Sequence, residues 1–312
     1  MNALDAQGQA GLVMGALWDP MLLMATVTFV VVVGVLLWAI FRRRGGNEAP
    51  DDPTRDRSLG RVVGVGVLLT TLVLLVCLGL DISVGRAITA TPGKDAVQIR
   101  VTGHQWWWEV HYRDLVPQRW VTTANEIHVP VGRPVVIELR STDVIHSFWP
   151  PELTGKRDLI PGKTNSLWLR ADRPGEYRGQ CAEFCGHQHA KMAFLVVAEP
   201  ADSFAHWLET QRDTAFTPSD SLTRRGQEVF LASSCPMCHA ISGTPAGSRV
   251  GPDLTHLASR RTIAAGTLRN TRGNLAGWII DPQSIKPGAK MPPNELSPAD
   301  LEALLAYLET LR

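Results

Sequence analysis

Two short stretches of this chain concentrate side chains that can hold metals. Cys235-Pro236-Met237-Cys238-His239 has the spacing at which two thiols form thioethers to the vinyl groups of a haem, with the adjacent imidazole placed as an axial iron ligand. Cys181-Ala182-Glu183-Phe184-Cys185-Gly186-His187-Gln188-His189-Ala190-Lys191-Met192 packs two thiols, two imidazoles, a carboxylate and a thioether into one run. Such soft nitrogen and sulfur donors select copper or zinc over magnesium.

Each stretch leaves a choice. The Cys235/Cys238 pair could be redox-active or half of a zinc site, but no second Cys pair or His-x-His cluster follows it. A sixth iron ligand should be Met or His. Met291 is the only methionine downstream, in a loop stiffened by Pro292 and Pro293, and His256 is the competing imidazole. In the other stretch, tetrahedral zinc would use two Cys and two His and leave Met192 without a purpose. Asp143-Val144-Ile145-His146-Ser147-Phe148-Trp149 supplies an upstream imidazole, and a single-copper site would need only one of the two thiols.

The elements that must position these groups differ along the chain. Residues 97–200 alternate apolar and polar positions in short stretches, such as Val97–Val101, Glu126–Val129, Pro134–Leu139, Ser166–Leu169 and Phe194–Val197, punctuated by Gly and Pro. About seven short strands of this kind predict an antiparallel sandwich or barrel. From Pro218 the texture becomes helical: Ser219–Ser233 and Pro298–Leu311 are predicted helices, the second starting at a Ser297/Asp300 signal. Ala201–Thr217 reads as a helix-bearing linker, so the predicted division is 1–90, 91–200, 201–217 and 218–312.

The first of these parts is a membrane hairpin. Met21–Phe41 and Val62–Leu80 carry no charge, and helices of that length cross the ~30 Å hydrocarbon layer. Spans at about 21–41 and 62–82 are expected, with Cys77 a small apolar filler in the second. Arg42, Arg43, Arg44, Arg55, Arg57 and Arg61 crowd the connection, whereas no cation precedes Met21. This puts the connection in the cytoplasm and both termini outside. With 31 Lys+Arg against 30 Asp+Glu, the chain has no basic field to concentrate nucleic acid.

Taken together, these residues resemble the subunit II family of haem-copper oxidases, over essentially the full chain, and in particular members whose subunit II carries its own cytochrome c. The resemblance implies a multidomain membrane protein: a two-helix transmembrane hairpin, an all-β cupredoxin Greek-key domain and an all-α class I cytochrome c domain with Trp278 near the haem edge. It implies a dinuclear copper A centre in which Cys181 and Cys185 bridge two coppers, His146 and His189 are terminal ligands, and Met192 and the Glu183 carbonyl are weak ligands. His187 is left solvent-facing. One covalent haem c would be held by Cys235 and Cys238, with His239 and Met291 axial. In Gly103-His104-Gln105-Trp106-Trp107-Trp108, the resemblance makes Trp106 the residue through which electrons reach copper. The Glu183 carboxylate would bind Mg²⁺ or Mn²⁺ shared with subunit I.

The implied function is electron transfer within a proton-pumping cytochrome c oxidase, from haem c to copper A and on to the haem of subunit I, where O₂ is reduced to water. Expected partners are subunit I, subunit III, the lipid bilayer and an upstream donor, either a soluble or membrane cytochrome c or a quinol-oxidising complex. The expected location is a bacterial inner membrane. A copper A nitric oxide reductase subunit and a free membrane-tethered carrier are the alternative readings. One departure stands out: family members often carry a proton-path glutamate before the second membrane helix, where this chain has Asp56-Arg57-Ser58-Leu59-Gly60-Arg61.

Overall fold

The computed structural model describes residues 5–42, 53–89, 92–93, 95–114 and 116–312. Arg43 and Arg44, at the centre of the predicted cytoplasmic connection, lie outside the described residues.

Residues Leu12–Ala90 form one compact unit, built from α1 (Gln9–Arg42) and α2 (Pro53–Thr89). Both helices outrun their uncharged stretches, because a charge ends an apolar run without ending the backbone ladder; Asp81 and Arg86 are still helical. Four successive residues, Phe29, Val30, Val31 and Val32, point to different sides of α1 and are all exposed. A helix that is apolar all round, with its backbone hydrogen bonds satisfied internally, suits a hydrocarbon surrounding rather than water.

The second unit holds the rest of the chain. Its β part has ten strands: β1 (Val97–His104), β2 (Trp107–Tyr112), β3 (Val121–Ala124), β4 (Glu126–Pro130), β5 (Val135–Ser141), β6 (His146–Trp149), β7 (Arg157–Leu159), β8 (Asn165–Leu169), β9 (Gly175–Cys181) and β10 (Ala193–Glu199). They form two five-stranded sheets, in the orders β3-β2-β1-β5-β8 and β4-β10-β9-β6-β7. The sandwich is not wholly antiparallel. β1 pairs parallel with β5, and β4 with β10, because the chain crosses between sheets before returning beside an earlier strand. Alternation along β1 and β5 sends Ile99, Val101, Val135, Ile137 and Leu139 into one core with Ile127, Val129, Phe148, Phe194 and Val196 of the other sheet. Trp108 sits at its centre, edge-on to Phe148 and Phe194 at 5.9 and 5.4 Å.

α3 (Ala201–Thr210) does not hang free between domains. Phe204 is buried, and Trp207 stacks on His128 at 4.0 Å. The helical part follows: α4 (Ser221–Ala232), the two-residue strands β11 (Thr262–Ile263) and β12 (Leu268–Arg269), α5 (Arg272–Ile280), α6 (Pro282–Ile285) and α7 (Pro298–Leu308). Asp220 caps α4 through Leu222 N–H and Thr223 N–H, and Ser297 caps α7 through Asp300 N–H; such caps contribute about 1 kcal/mol each. Phe230 of α4 packs on Tyr307 of α7, placing the two ends of this domain together over a core of Leu275, Ile279, Leu304 and Leu308.

Candidate functional site

Sheet pairing brings the predicted metal-binding residues together. His146 opens β6 and Cys181 closes β9, and these strands are neighbours with Phe148 opposite Cys181. The loop from β9 to β10 then folds back over them. Cys181 Sγ and Cys185 Sγ lie 3.7 Å apart. His146 Nδ1 is 3.9 Å from Cys181 Sγ, while His189 Nδ1 is 3.6 Å and Met192 Sδ 3.8 Å from Cys185 Sγ. The Glu183 carbonyl is 3.2 Å from Cys181 Sγ. All six residues singled out in this loop and upstream of it converge on one buried point. His187, by contrast, is exposed, with its ring edge-on to Trp106.

This donor set fits paired soft cations. Cys185 hydrogen-bonds Cys181 and, against the opposing effect of burial, brings the Cys181 thiol down to about 3. The same pairing, aided by burial, drives Cys185 upward. Two thiolates so close repel unless positive charge lies between them. Asp143, three residues before His146, is a positioning residue that spacing alone did not single out. Its Oδ1 takes a 2.9 Å contact from His146 Nε2, leaving Nδ1 for the metal side, and its Oδ2 accepts from Gln105 N–H at 2.7 Å. Burial would raise the Asp143 carboxyl, but these hydrogen bonds hold it at about 2. Gly103 is needed here because a Cβ at that position would lie 2.7 Å from the His146 ring.

A partly open cavity of about 300 Å³ lies in the helical domain, with β-domain residues on one wall. Cys235, Cys238, His239, Trp278 and Met291 all line it. His239 Nδ1 is held by the Pro252 carbonyl at 2.7 Å, which leaves Nε2 free to ligate. A Cβ on Gly251 would come 2.8 Å from that ring, so glycine is what allows the imidazole its place. His256 is not among the lining residues; its Nδ1 is tied to the Arg312 carbonyl. An apolar chamber with a Cys pair, one oriented imidazole and one thioether on its wall fits a covalently attached haem.

The three tryptophans divide their work. Trp108 is core, Trp107 stacks on His104 at 4.4 Å, and Trp106 joins the two sites. The Trp106 indole N–H donates to the Cys185 carbonyl at 2.9 Å, Gln105 donates to the same oxygen at 2.8 Å, and both residues line the helical domain's cavity. The domains are further tied around this point. Lys191 donates to the Ile285 carbonyl, Gln188 to the Pro287 carbonyl, and Arg261 N–H to the Glu126 carboxylate at 3.0 Å. Lys290, next to Met291, lies 3.8 Å from Asp143.

The fold and these two sites define a membrane-tethered redox protein with a cupredoxin domain fused to a cytochrome domain. The family matches agree. The family described as cytochrome c oxidase subunit II, periplasmic domain, matches residues 116–199, and the cytochrome c family matches residues 223–312. Cytochrome c oxidase subunit 2 of Alkalihalophilus pseudofirmus is 37% identical, covering 100% of this chain and 91% of that protein. That of Bacillus sp. strain PS3 is 35% identical over 70% of this chain and 63% of its own length. The crystal structure of the periplasmic domain of subunit II of cytochrome oxidase from Bradyrhizobium japonicum is 31% identical, covering 39% of this chain and 97% of that one, with a TM-score of 0.37. The chain belongs to the cytochrome c oxidase subunit II family, with a cytochrome c domain at its C-terminal end. It is a membrane-protein subunit of an oxidoreductase complex and a partner of subunit I.

Proposed function

We propose that this subunit passes electrons from a covalent haem c, by way of Trp106, to a dinuclear copper A centre and on to the haem of subunit I for reduction of O₂. The observation that carries the reading is the double contact of Trp106. Its indole N–H binds the backbone of Cys185 while its ring lines the cavity that also holds Cys235, Cys238, His239 and Met291. Cys181, Cys185, His146 and His189 would hold the copper, with Met192 and the Glu183 carbonyl as weaker donors. Cys235 and Cys238 would attach the haem, and His239 and Met291, on the wall of the same cavity, would ligate its iron. Such a centre would supply low-reorganisation electron transfer, since paired thiolates would let two metals share one unpaired electron. The residues around them are already fixed: His146 by Asp143, the Cys185 carbonyl by Trp106 and Gln105. Trp106→Ala is expected to slow reduction of copper by haem c, with both absorption spectra intact in flash or stopped-flow records. Unchanged kinetics would remove Trp106 from the route.

Glu183 is exposed and its carbonyl is turned to Cys181, so its carboxylate is free to serve a second ion. We assign it to Mg²⁺ or Mn²⁺ at the subunit I face, since hard ions take oxygen ligands. In Glu183→Gln the copper spectrum is expected to survive while affinity for that ion falls at least about tenfold. Normal ion content in the purified complex would count against the assignment. The hairpin sits in a bacterial inner membrane with both termini and the redox domains outside, as the arginines between the spans favour. Subunit III and a cytochrome c or quinol-oxidising donor complete the assembly.

A further inference from the structure

Strand β4 carries two ionisable groups that neither metal site uses. Glu126 and His128 are 4% and 7% exposed. His128 Nε2 is 3.0 Å from the Glu126 carboxylate, and His128 Nδ1 is 2.7 Å from that of Glu199, at the end of β10. Trp207 of α3 covers the ring. The Tyr112 hydroxyl accepts from the His128 N–H at 2.6 Å and donates to its carbonyl at 2.9 Å, which leaves the ring to the carboxylates. A neutral imidazole has one N–H to donate, so only the imidazolium serves two ionised carboxylates at once.

The other oxygen of Glu126 accepts from Arg261 N–H of the helical domain at 3.0 Å. The segment that starts there lies along the β domain. Arg261 Nε is 3.0 Å from Glu176, Ala193 N–H donates to the Ala265 carbonyl at 3.0 Å, and Arg178 donates to that of Gly266 at 3.0 Å. Lys286 Nζ donates to the carbonyls of Ala264 and Trp106, each at 3.2 Å. Ala264, Ala265 and Gly266 have φ of 53°, 56° and 70°. Left-handed backbone at residues with a Cβ is unfavourable and persists where neighbours fix it. Thr262, Ile263 and Ala264 line the helical domain's cavity, while Ala193, bonded to Ala265, directly follows Met192.

We propose that Glu126, His128 and Glu199 are positioning residues for electron transfer between the two sites, a triad that anchors residues 261–267 through Arg261 N–H and is complete only while His128 is charged. This rests on the functional reading above, which puts haem c in the cavity and copper beside Met192. The ionisable groups facing His128 are Glu126, Glu199 and Tyr112, and Glu126 also faces Arg260 and Arg261. Burial would lower the His128 imidazolium, but its hydrogen bonds to Glu126 and Glu199 raise it overall. Burial would raise the Glu126 carboxyl, but His128 and Arg261 N–H bring it below its ordinary value. The anchor is therefore complete between these two values. It is lost as pH rises through the raised imidazole value, where one carboxylate loses its donor.

The test times haem c-to-copper transfer after flash reduction of the intact oxidase complex, from about pH 6 to about pH 10. Amide hydrogen exchange in peptides covering 261–267 is followed alongside. The unsubstituted complex is expected to slow about tenfold on the alkaline side with both absorption spectra intact. In Glu126→Ala, Arg261 N–H loses its acceptor, so its exchange is expected to rise about tenfold and transfer to fall about tenfold at every pH. Glu126→Gln keeps an oxygen for Arg261 N–H and offers an N–H to neutral imidazole, so it should restore the rate and remove the alkaline loss. Unchanged exchange and transfer in Glu126→Ala would overturn the anchor, and the same alkaline loss in Glu126→Gln would overturn its dependence on His128. Absence of haem c-to-copper transfer from the unsubstituted complex would overturn the functional reading, with the exchange record still deciding the anchor.

Discussion

Cys185→Ser is expected to abolish the delocalised copper spectrum and electron delivery to subunit I, while the haem c band remains. Cys185 Sγ lies within 4 Å of three donor atoms, Cys181 Sγ, His189 Nδ1 and Met192 Sδ, so it is the hub of the cluster. An alkoxide-forming hydroxyl is a poor ligand for a soft ion. Loss of a group behind the ligands alone typically costs 10- to 100-fold in metal affinity, and loss of a bridging thiolate should exceed about 100-fold. Elemental analysis should read two coppers and one iron in the unsubstituted chain and the iron alone in the variant. Retention of both coppers, or one copper with a localised spectrum in the unsubstituted chain, would sink the dinuclear assignment. The haem domain has its own core, centred on Phe230, Leu304, Leu305 and Tyr307, and so supplies an internal control for folding.

Met291→His should remove the sulfur-to-iron absorption and lower the haem c potential on the order of 0.2 V, within the ~0.8 V span that axial ligands command. At 59 mV per tenfold change for one electron, that is roughly a thousandfold loss in the equilibrium for accepting an electron from the donor. Met291 is on the cavity wall, in a loop held by Gln283, which donates to the Ala289 and Met291 carbonyls at 2.8 and 2.9 Å. Those backbone contacts do not involve the side chain, so the substitution should exchange the ligand without releasing the loop. An unaltered spectrum would mean that another group holds the sixth position.

Much of this protein was legible because its chemistry is local. The Cys235–His239 spacing needs only one turn of chain to present its groups together, and five of the six proposed copper ligands lie within the run from Cys181 to Met192. The hairpin was equally plain, since twenty uncharged residues have few alternatives to lipid. Strand order was less plain. β2 alternates strictly, burying Trp108, Val110 and Tyr112, but its start is hidden among three consecutive tryptophans, and β6 shows no alternation, since His146, Ser147 and Phe148 are all buried. The two parallel pairings depend on crossings between sheets that no short window of residues encodes.

By itself, then, the sequence determined which residue types can hold metal, which segments suit lipid and that a β domain precedes a helical one, all from spacings of a few residues. Only the tertiary structure decided how the two domains address each other. Trp106 meets Cys185 across 79 positions, Lys286 meets Trp106 across 180, and Lys290 approaches Asp143 between them. The physical reason is that a metal loop is specified by bonds the chain makes over a few residues. A domain junction instead depends on surfaces that exist only after each core has packed, and a buried cation such as Lys286 acquires its partners only when both surfaces are in place.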